Sequence, residues 1–437
     1  MPLWCIPMIY VLTSVVAGFT LPRLEQAYLP AYAHEVAVGS ALAFFSSVSS
    51  GMMALTGIVF AIAFVMVQFI AVAYSPRIAV RFANQPRLFH SLGIFFATFT
   101  YSLAAVAWTD RGGSGTVPFF STVLVIILLV VSAMAFVGLI QGMKDLQIHN
   151  VLQNVGRQGR AVIRTLFERI PEGGATPPES AIEDRHLPHS VQRLIYSGEP
   201  RVITRFDAAR LVRVAEATDA VLVLECAVGD TLVEDALVLT VHGASAPLSR
   251  RTLMKSVHLG TVRTFEQDPK YAIRLLVDIA IRALSPAIND PTTAVQALDQ
   301  IEDLLRRLGH RKLDAGRVFD AAGSLRLIIP MPTWDDYLAL AFDEIRQFGA
   351  TSVQVARRLR AALSDLAGSV ATEERRAAVG RYLDHLNSAV GRSAFDDYDQ
   401  ATALGEDRQG LGLSRKRAQP PVTPGPAKPA RTVRTAL

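Results

Sequence analysis

Only two of the 437 residues are cysteine, Cys5 and Cys226, and they stand in unrelated surroundings. No disulfide framework and no cysteine-built metal site can come from them. Other chemistry-bearing patterns are missing too: a Gly-rich phosphate loop at a strand–helix junction, G-x-S-x-G, H-E-x-x-H, and a carboxylate–histidine pair in an evident pocket. His186 and His189 form an H-x-x-H beside Asp184, but the loop offers no third ligand, so no metal site is expected. No catalytic residue can be named, no cofactor is implied, and the chain reads as a non-enzyme. A basic face is lacking as well. The net charge is +5, and residues 405–437 hold Arg408, Arg415, Lys416, Arg417, Lys428, Arg431 and Arg434 against Glu406 and Asp407; seven minus two is the whole excess. A nucleic-acid partner is therefore not expected.

Apolar residues, by contrast, are abundant: 50% of the chain, with a mean hydropathy of +0.29, too apolar for an ordinary soluble protein. They concentrate in the runs 3–21, 41–74, 88–108 and 118–142, none of which contains Asp, Glu, Lys or Arg. The first lacks a basic n-region and is followed by no A-x-A site, so it reads as a membrane span and not a signal peptide. The second, as a helix, would be roughly 50 Å long against a hydrocarbon core of about 30 Å, too short for two spans with a turn. It is expected to be one long helix extending beyond the bilayer. Four spans result. Arg77, Arg81 and Arg87 follow the second span, and Lys144, Arg157, Arg160 and Arg164 follow the fourth with the single acid Asp145. By the positive-inside rule both termini, and everything after residue 143, face the cytoplasm of a bacterial inner membrane.

Charge-free spans argue against a proton- or sodium-coupled transporter. On the second span Ser46, Ser50, Ala54, Gly57, Ala61 and Gln68 recur at helical spacing on one face. Such a stripe is either a small-residue seam for close helix packing or the lining of a pore in an oligomer. His90, one turn into the third span, reads as an interfacial anchor.

Residues 144–170 carry a helical period with Leu146, Val151, Val155, Val162, Leu166 and Ile170 among the apolar positions and basic residues between them, expected to continue the fourth span. A linker at 171–180 leads to strands at 192–197 and 200–205, a helix at 208–217, and strands at 220–227 and 236–242. The stretch 229–236 reads as a loop and Cys226 as a small buried residue. A short helix at 251–257, a strand at 258–264, and helices at 270–284, 292–308, 333–347, 352–367 and 372–390 follow, with one more strand at 324–329. The organisation is thus an α-helical membrane domain of four transmembrane helices (1–143), an amphipathic helix and linker (144–182), and a cytoplasmic α+β domain (183–400). That domain is β-rich over 190–265 and helical over 268–395, and a disordered basic, Pro-rich tail (401–437) closes the chain.

The helix 270–284 places Arg274, Asp278 and Arg282 four apart, a possible ion-pair ladder on an otherwise apolar helix. It stops at S-P-A-I-N-D-P-T-T-A (285–294). Ser285 before Pro286 ends one helix, and Asp290 as N-cap with Pro291 behind it opens the next. The joint explains Asp290 and Pro291. Asn289, Thr292 and Thr293 are left over as candidate donors to a ligand or to a second subunit, together with Asp290 and the Arg274, Asp278, Arg282 row.

Three stretches, S-G-M-M-A-L-T-G-I-V-F-A-I-A-F-V-M-V-Q (50–68), V-R-T-F-E-Q-D-P (262–269) and D-I-A-I-R-A-L-S-P-A-I-N-D-P-T-T-A (278–294), are similar to the signature blocks of a bacterial family of predicted membrane proteins, domain of unknown function 2254. The resemblance covers roughly residues 2–400 and implies membrane location, a few N-terminal spans and a cytoplasmic α+β region. It brings no established activity. The leading expectation is a self-associating, homo-oligomeric, passive channel-like pore in the lipid bilayer with a cytoplasmic regulatory or assembly domain. The alternative is a non-conducting scaffold or sensor whose cytoplasmic domain binds a ligand or protein partner. The small ligand or ion is not identified by the residues.

Overall fold

The computed structural model describes residues 3–28, 37–73, 86–109, 117, 119–144, 147–170, 187–244 and 247–412. Arg77, Arg81, Asp145, Leu146, Asp184, His186, the linker 171–180 and the tail from 413 onward lie outside the described residues.

Four helices come first: α1 (Cys5–Tyr28), α2 (Val38–Ala73), α3 (Pro86–Trp108) and α4 (Phe119–Lys144). Their apolar stretches of 21, 31, 23 and 24 residues are each long and apolar enough to cross a membrane. As expected, α2 is a single unbroken helix of 36 residues. The central element is α3, which packs on the other three and buries Leu92, Phe95, Thr98, Tyr101, Ser102 and Ala105. Helix α1 runs parallel to it: Tyr10 meets His90, Ser14 bonds the Ala97 carbonyl, and Gly18 sits against Ala104. Helix α4 runs antiparallel, with Thr98 on Ser132 and Tyr101 on Ser121. The starts of α1 and α3 and the end of α4 therefore share one end of the bundle. One expectation is corrected here. Helix α1 does not stop at Leu21 but passes through Pro22, so its apolar segment is Cys5–Glu25 and carries Arg23 and Glu25. Proline ends a helix less reliably where neighbouring helices satisfy the freed backbone groups.

The rest of the chain builds a mixed α/β region. Its first helix, α5 (Ile148–Leu166), does not continue α4 without a break. Gln147 has an extended ψ of 139°, which interrupts the helical hydrogen bonds. There follow β1 (Ser190–Ile195), β2 (Arg201–Phe206), α6 (Ala208–Ala217), β3 (Val221–Leu224), β4 (Thr231–Leu232), β5 (Leu237–His242), α7 (Arg250–Met254) and β6 (Val257–Gly260). Then come α8 (Pro269–Ala283), α9 (Pro291–Leu308), β7 (Arg317–Phe319), β8 (Leu325–Ile328), α10 (Trp334–Gly349), α11 (Val353–Ser369), α12 (Glu373–Gly391) and α13 (Asp397–Ala403). The short β4, β7 and α13 were not foreseen. One sheet has the order β1-β5-β3-β8-β7 and the other β4-β2-β6. Strand β8 pairs parallel to β3, so a hairpin from the helical half of the sequence completes the larger sheet.

The helical core joins α5 to α8–α12 through Leu152, Ile163, Leu276, Leu298, Leu305, Phe342, Leu359 and Val379. Helix α5 is thus part of the packed region and no mere connector. Gly159 allows this, since a Cβ there would lie 2.9 Å from Ala272 and Leu304 side chains. At the joint between sheet and helices, Gln267 bonds both backbone groups of Phe206, at 3.0 and 3.2 Å. Arg263 holds Asp268 through two hydrogen bonds of 2.9 and 2.7 Å. Burial pushes the Asp268 carboxyl above its usual range, and Arg263 opposes that. Asp268 in turn caps α8 by accepting from the Tyr271 amide at 3.1 Å. The R-T-F-E-Q-D-P motif is the hinge of the α/β region.

The boundary of the tail also moves. Residues 401–412, read as disordered, are folded: α13 runs to Ala403, and Asp407 is only 1% exposed.

Candidate functional site

The residues singled out in the sequence end in three different places. Ser46, Ser50, Ala54, Gly57, Ala61 and Gln68 all face away from the chain's own helices, and a Cβ at Gly57 would meet nothing within 4 Å. The face of α2 that packs on α3 is the bulkier one, Phe45, Val48, Met52, Thr56 and Val59. Within one chain the stripe is therefore no packing seam.

The charged row of α8 is partly used up in architecture. Arg274 donates from Nε to Asp278 at 2.6 Å, and its two terminal nitrogens reach both Glu344 oxygens on α10 at 2.8 and 2.7 Å. This bidentate pair, bonded in the fork geometry that favours Arg over Lys, draws the Glu344 carboxyl below its usual range. The Arg282 backbone carbonyl accepts the Ser285 hydroxyl at 2.7 Å, helping to end the helix.

The N-D-P-T-T joint is likewise accounted for almost residue by residue. Asn289 sits at φ 49°, a left-handed conformation that Asn tolerates better than most side chains. Asp290 accepts from the Thr293 amide at 3.1 Å and from its hydroxyl at 2.6 Å. Thr292 alone points elsewhere, to the mouth of a cavity of about 330 Å³.

That cavity is built from three segments: His149, Leu152 and Gln153 of α5; Thr292, Val295, Gln296, Asp299 and Gln300 of α9; and Gln409, Gly410 and Leu411. Its size falls in the range of small-molecule sites. The third wall is held by Asp407, whose carboxylate accepts from the amides of Gln409, Gly410 and Gly412 at 3.1, 2.9 and 2.6 Å. Gly410 has φ +64°, and a Cβ there would lie 2.4 Å from Val295, so only glycine closes the wall this tightly. Among the described lining residues there is no Lys or Arg, and Asp299 is paired with Arg358 at 2.9 Å. Carboxamides dominate. Gln300 is engaged by Arg160 at 3.3 Å and Gln153 by His149 at 2.7 Å, but the Gln296 side-chain oxygen is buried with no hydrogen-bond partner. A buried acceptor of that kind is costly unless something donates to it.

Sequence reasoning found Thr292 and missed the rest. Gln296 follows Thr292 by one turn on the same helix face, which was a usable signal. His149 and the 409–411 wall come from distant segments and left none. A broader open groove of about 600 Å³ lies along α6, with Arg210 and Arg213 on its rim. Among the described residues, no group of three or more His, Cys, Asp or Glu is placed to hold a metal.

Four helices long and apolar enough to cross a membrane, followed by a mixed α/β region, are the architecture of a predicted membrane protein. The chain belongs to the family of predicted membrane proteins called domain of unknown function 2254, whose model matches residues 1–365. It is also similar to uncharacterised proteins of Mycobacterium bovis and Mycobacterium tuberculosis, 28% identical over 373 residues, covering 82% of this chain and 70% of theirs. No solved structure matches the chain. The matched region contains two of the three cavity walls; the Asp407-held wall lies beyond it.

Proposed function

We propose that this protein is a membrane sensor whose α/β region, placed in the cytoplasm by the positive-inside rule, binds a small uncharged polar molecule in the α5–α9 cavity. The observation that carries this reading is a cavity lining rich in carboxamides and free of Lys and Arg, one of whose residues, Gln296, keeps a side-chain oxygen with no partner. Such a lining suits a ligand with amide-like donors and acceptors, such as a nucleobase or nucleoside, and disfavours phosphates and carboxylates. Helix α5 begins four residues after α4 ends, so a ligand that shifts α5 acts on the segment that leaves the membrane bundle. The test is thermal unfolding of the purified protein with a panel of nucleobases, nucleosides and simple amides. A binding molecule raises the Tm by mass action, and Gln296→Leu abolishes the rise. A panel without any shift in the wild type refutes the reading.

A second reading rests on a separate observation, the outward-facing stripe of α2. It would seat a second copy of the chain and place the stripe between subunits, the arrangement a pore-forming oligomer needs.

A further inference from the structure

Inside the bundle, polar side chains line up where only apolar packing is required. Ser14 and Glu25 on α1, Thr98 and Ser102 on α3, and Ser121 and Ser132 on α4 recur at spacings of 4 or 11, close to whole helical turns, so each pair lies on one face. All six are buried. All but Ser102 meet a partner across the helices. Ser14 Oγ donates to the Ala97 carbonyl at 2.7 Å and accepts from Thr100 Oγ1 at 2.9 Å. Thr98 and Ser132 share a hydrogen bond of 2.8 Å, and Tyr101 donates to Ser121 at 3.2 Å. At the end remote from the α/β region, Glu25 Oε1 accepts from the Phe120 amide at 3.1 Å, at the start of α4. At the other end Tyr10 and His90 lie 3.3 Å apart at an exposed position.

Hydroxyl pairs of this kind commonly hold membrane helices together. Helix adhesion has no use, however, for two further atoms: Glu25 Oε2 and Ser102 Oγ are both buried without a hydrogen-bond partner. A carboxylate between packed helices with an unused oxygen points to a role beyond packing. Among the described residues, no group neutralises Glu25 by a direct pair. On its own helix Arg23 stacks over the Trp108 ring at 5.1 Å, α3 brings the uncharged Tyr101, and α4 brings a backbone amide and Ser121.

We infer that the bundle of a single chain holds a proton path, with Glu25 as its proton-binding group at one end, Tyr10 and His90 at the other, and the Ser/Thr line between them. A proton from water binds Glu25 Oε2, passes along O–H groups and intervening water, and leaves to water beside His90. Only O–H and N–H bonds form and break, and the membrane potential or a pH gradient supplies the drive. This activity is independent of the cavity and of any oligomeric pore.

The test uses the full chain in phospholipid vesicles with a trapped pH-sensitive dye and a potassium diffusion potential set by valinomycin. Wild-type vesicles should acidify or alkalinise faster than protein-free ones, in the direction of the potential. Glu25→Gln and Ser102→Ala should each cut that flux by about tenfold or more, as expected for loss of a proton carrier. Ser102→Ala removes only an unpartnered hydroxyl, so it keeps its fold and decides the matter even if Glu25→Gln does not. Vesicles as tight as protein-free ones, or wild-type flux in either folded variant, overturn the path.

Discussion

Cys226 lies two residues past the end of β3, buried, with its thiol donating to the Val238 carbonyl at 3.3 Å. Burial pushes the thiol up to about 12, so it is inert at neutral pH. Maleimide labelling of the native protein in detergent should therefore modify Cys5 and leave Cys226 untouched until denaturant is added. Arg358 shows the opposite kind of burial: its guanidinium bonds Glu302 at 2.6 Å and Asp299 at 2.9 Å inside the helical core. Arg358→Ala leaves the Glu302 Oε2 oxygen without its donor, while Oε1 keeps Arg306 at 2.8 Å, and should cost about 1–3 kcal/mol in chemical denaturation. At this scale the sequence was readable where a residue serves its own neighbourhood. The Asp290 and Asp268 caps, each before a proline, were visible because capping is local. The partners of Arg358 and Glu25 were not, because those contacts span tens of residues.

Among the elements, α2 and the 404–412 loop make contrasting demands. Since the space around Gly57 is open within the chain, Gly57→Trp should leave the fold intact. If α2 seats a second copy, the variant should show a smaller mass in light scattering than the wild type. An unchanged mass assigns the stripe to lipid contact. The loop, by contrast, is held by the Asp407 carboxylate and by Arg357, which donates to the Gly412 carbonyl at 3.0 Å. Truncation after residue 405 removes the third cavity wall and should cost about 1–3 kcal/mol through stranded polar groups. It should also abolish any ligand-induced Tm shift. Apart from the short α13, helix existence was legible from apolar runs and the 3.6-residue period, and most ends fell within a few residues of expectation. The short strands were not, since Thr231–Leu232 and Arg317–Phe319 are extended only because partners lie beside them.

Across the whole α/β region, ion pairs tie the helices into one acid-sensitive unit. Arg274 holds Glu344 below the usual range. For Asp303, burial pushes up, but hydrogen bonds from Arg307 and Arg160 outweigh it and the net shift is downward. A carboxyl whose folded pKa is depressed stabilises the fold fully above its unfolded value, near 4, and that stabilisation is lost as pH falls through the folded value. Stability measured by urea unfolding should therefore be flat from neutral pH to about 5 and fall below about 4. Arg274→Met should flatten the Glu344 part of that fall.

The sequence by itself determined that four apolar helices precede a mixed α/β region, where the proline-led helices α8 and α9 start, and to which family the chain belongs. These follow from periodicity, capping and charge placement, which act over a few residues. Only the tertiary structure decided that α5 belongs to the core, that β8 joins a sheet begun a hundred residues earlier, and that the α2 stripe faces outward. It also decided which polar groups are left buried without partners, at Gln296, Ser102 and Glu25. Satisfaction of a hydrogen bond in the interior depends on what the fold brings within about 3 Å, and no local pattern along the chain encodes that distance.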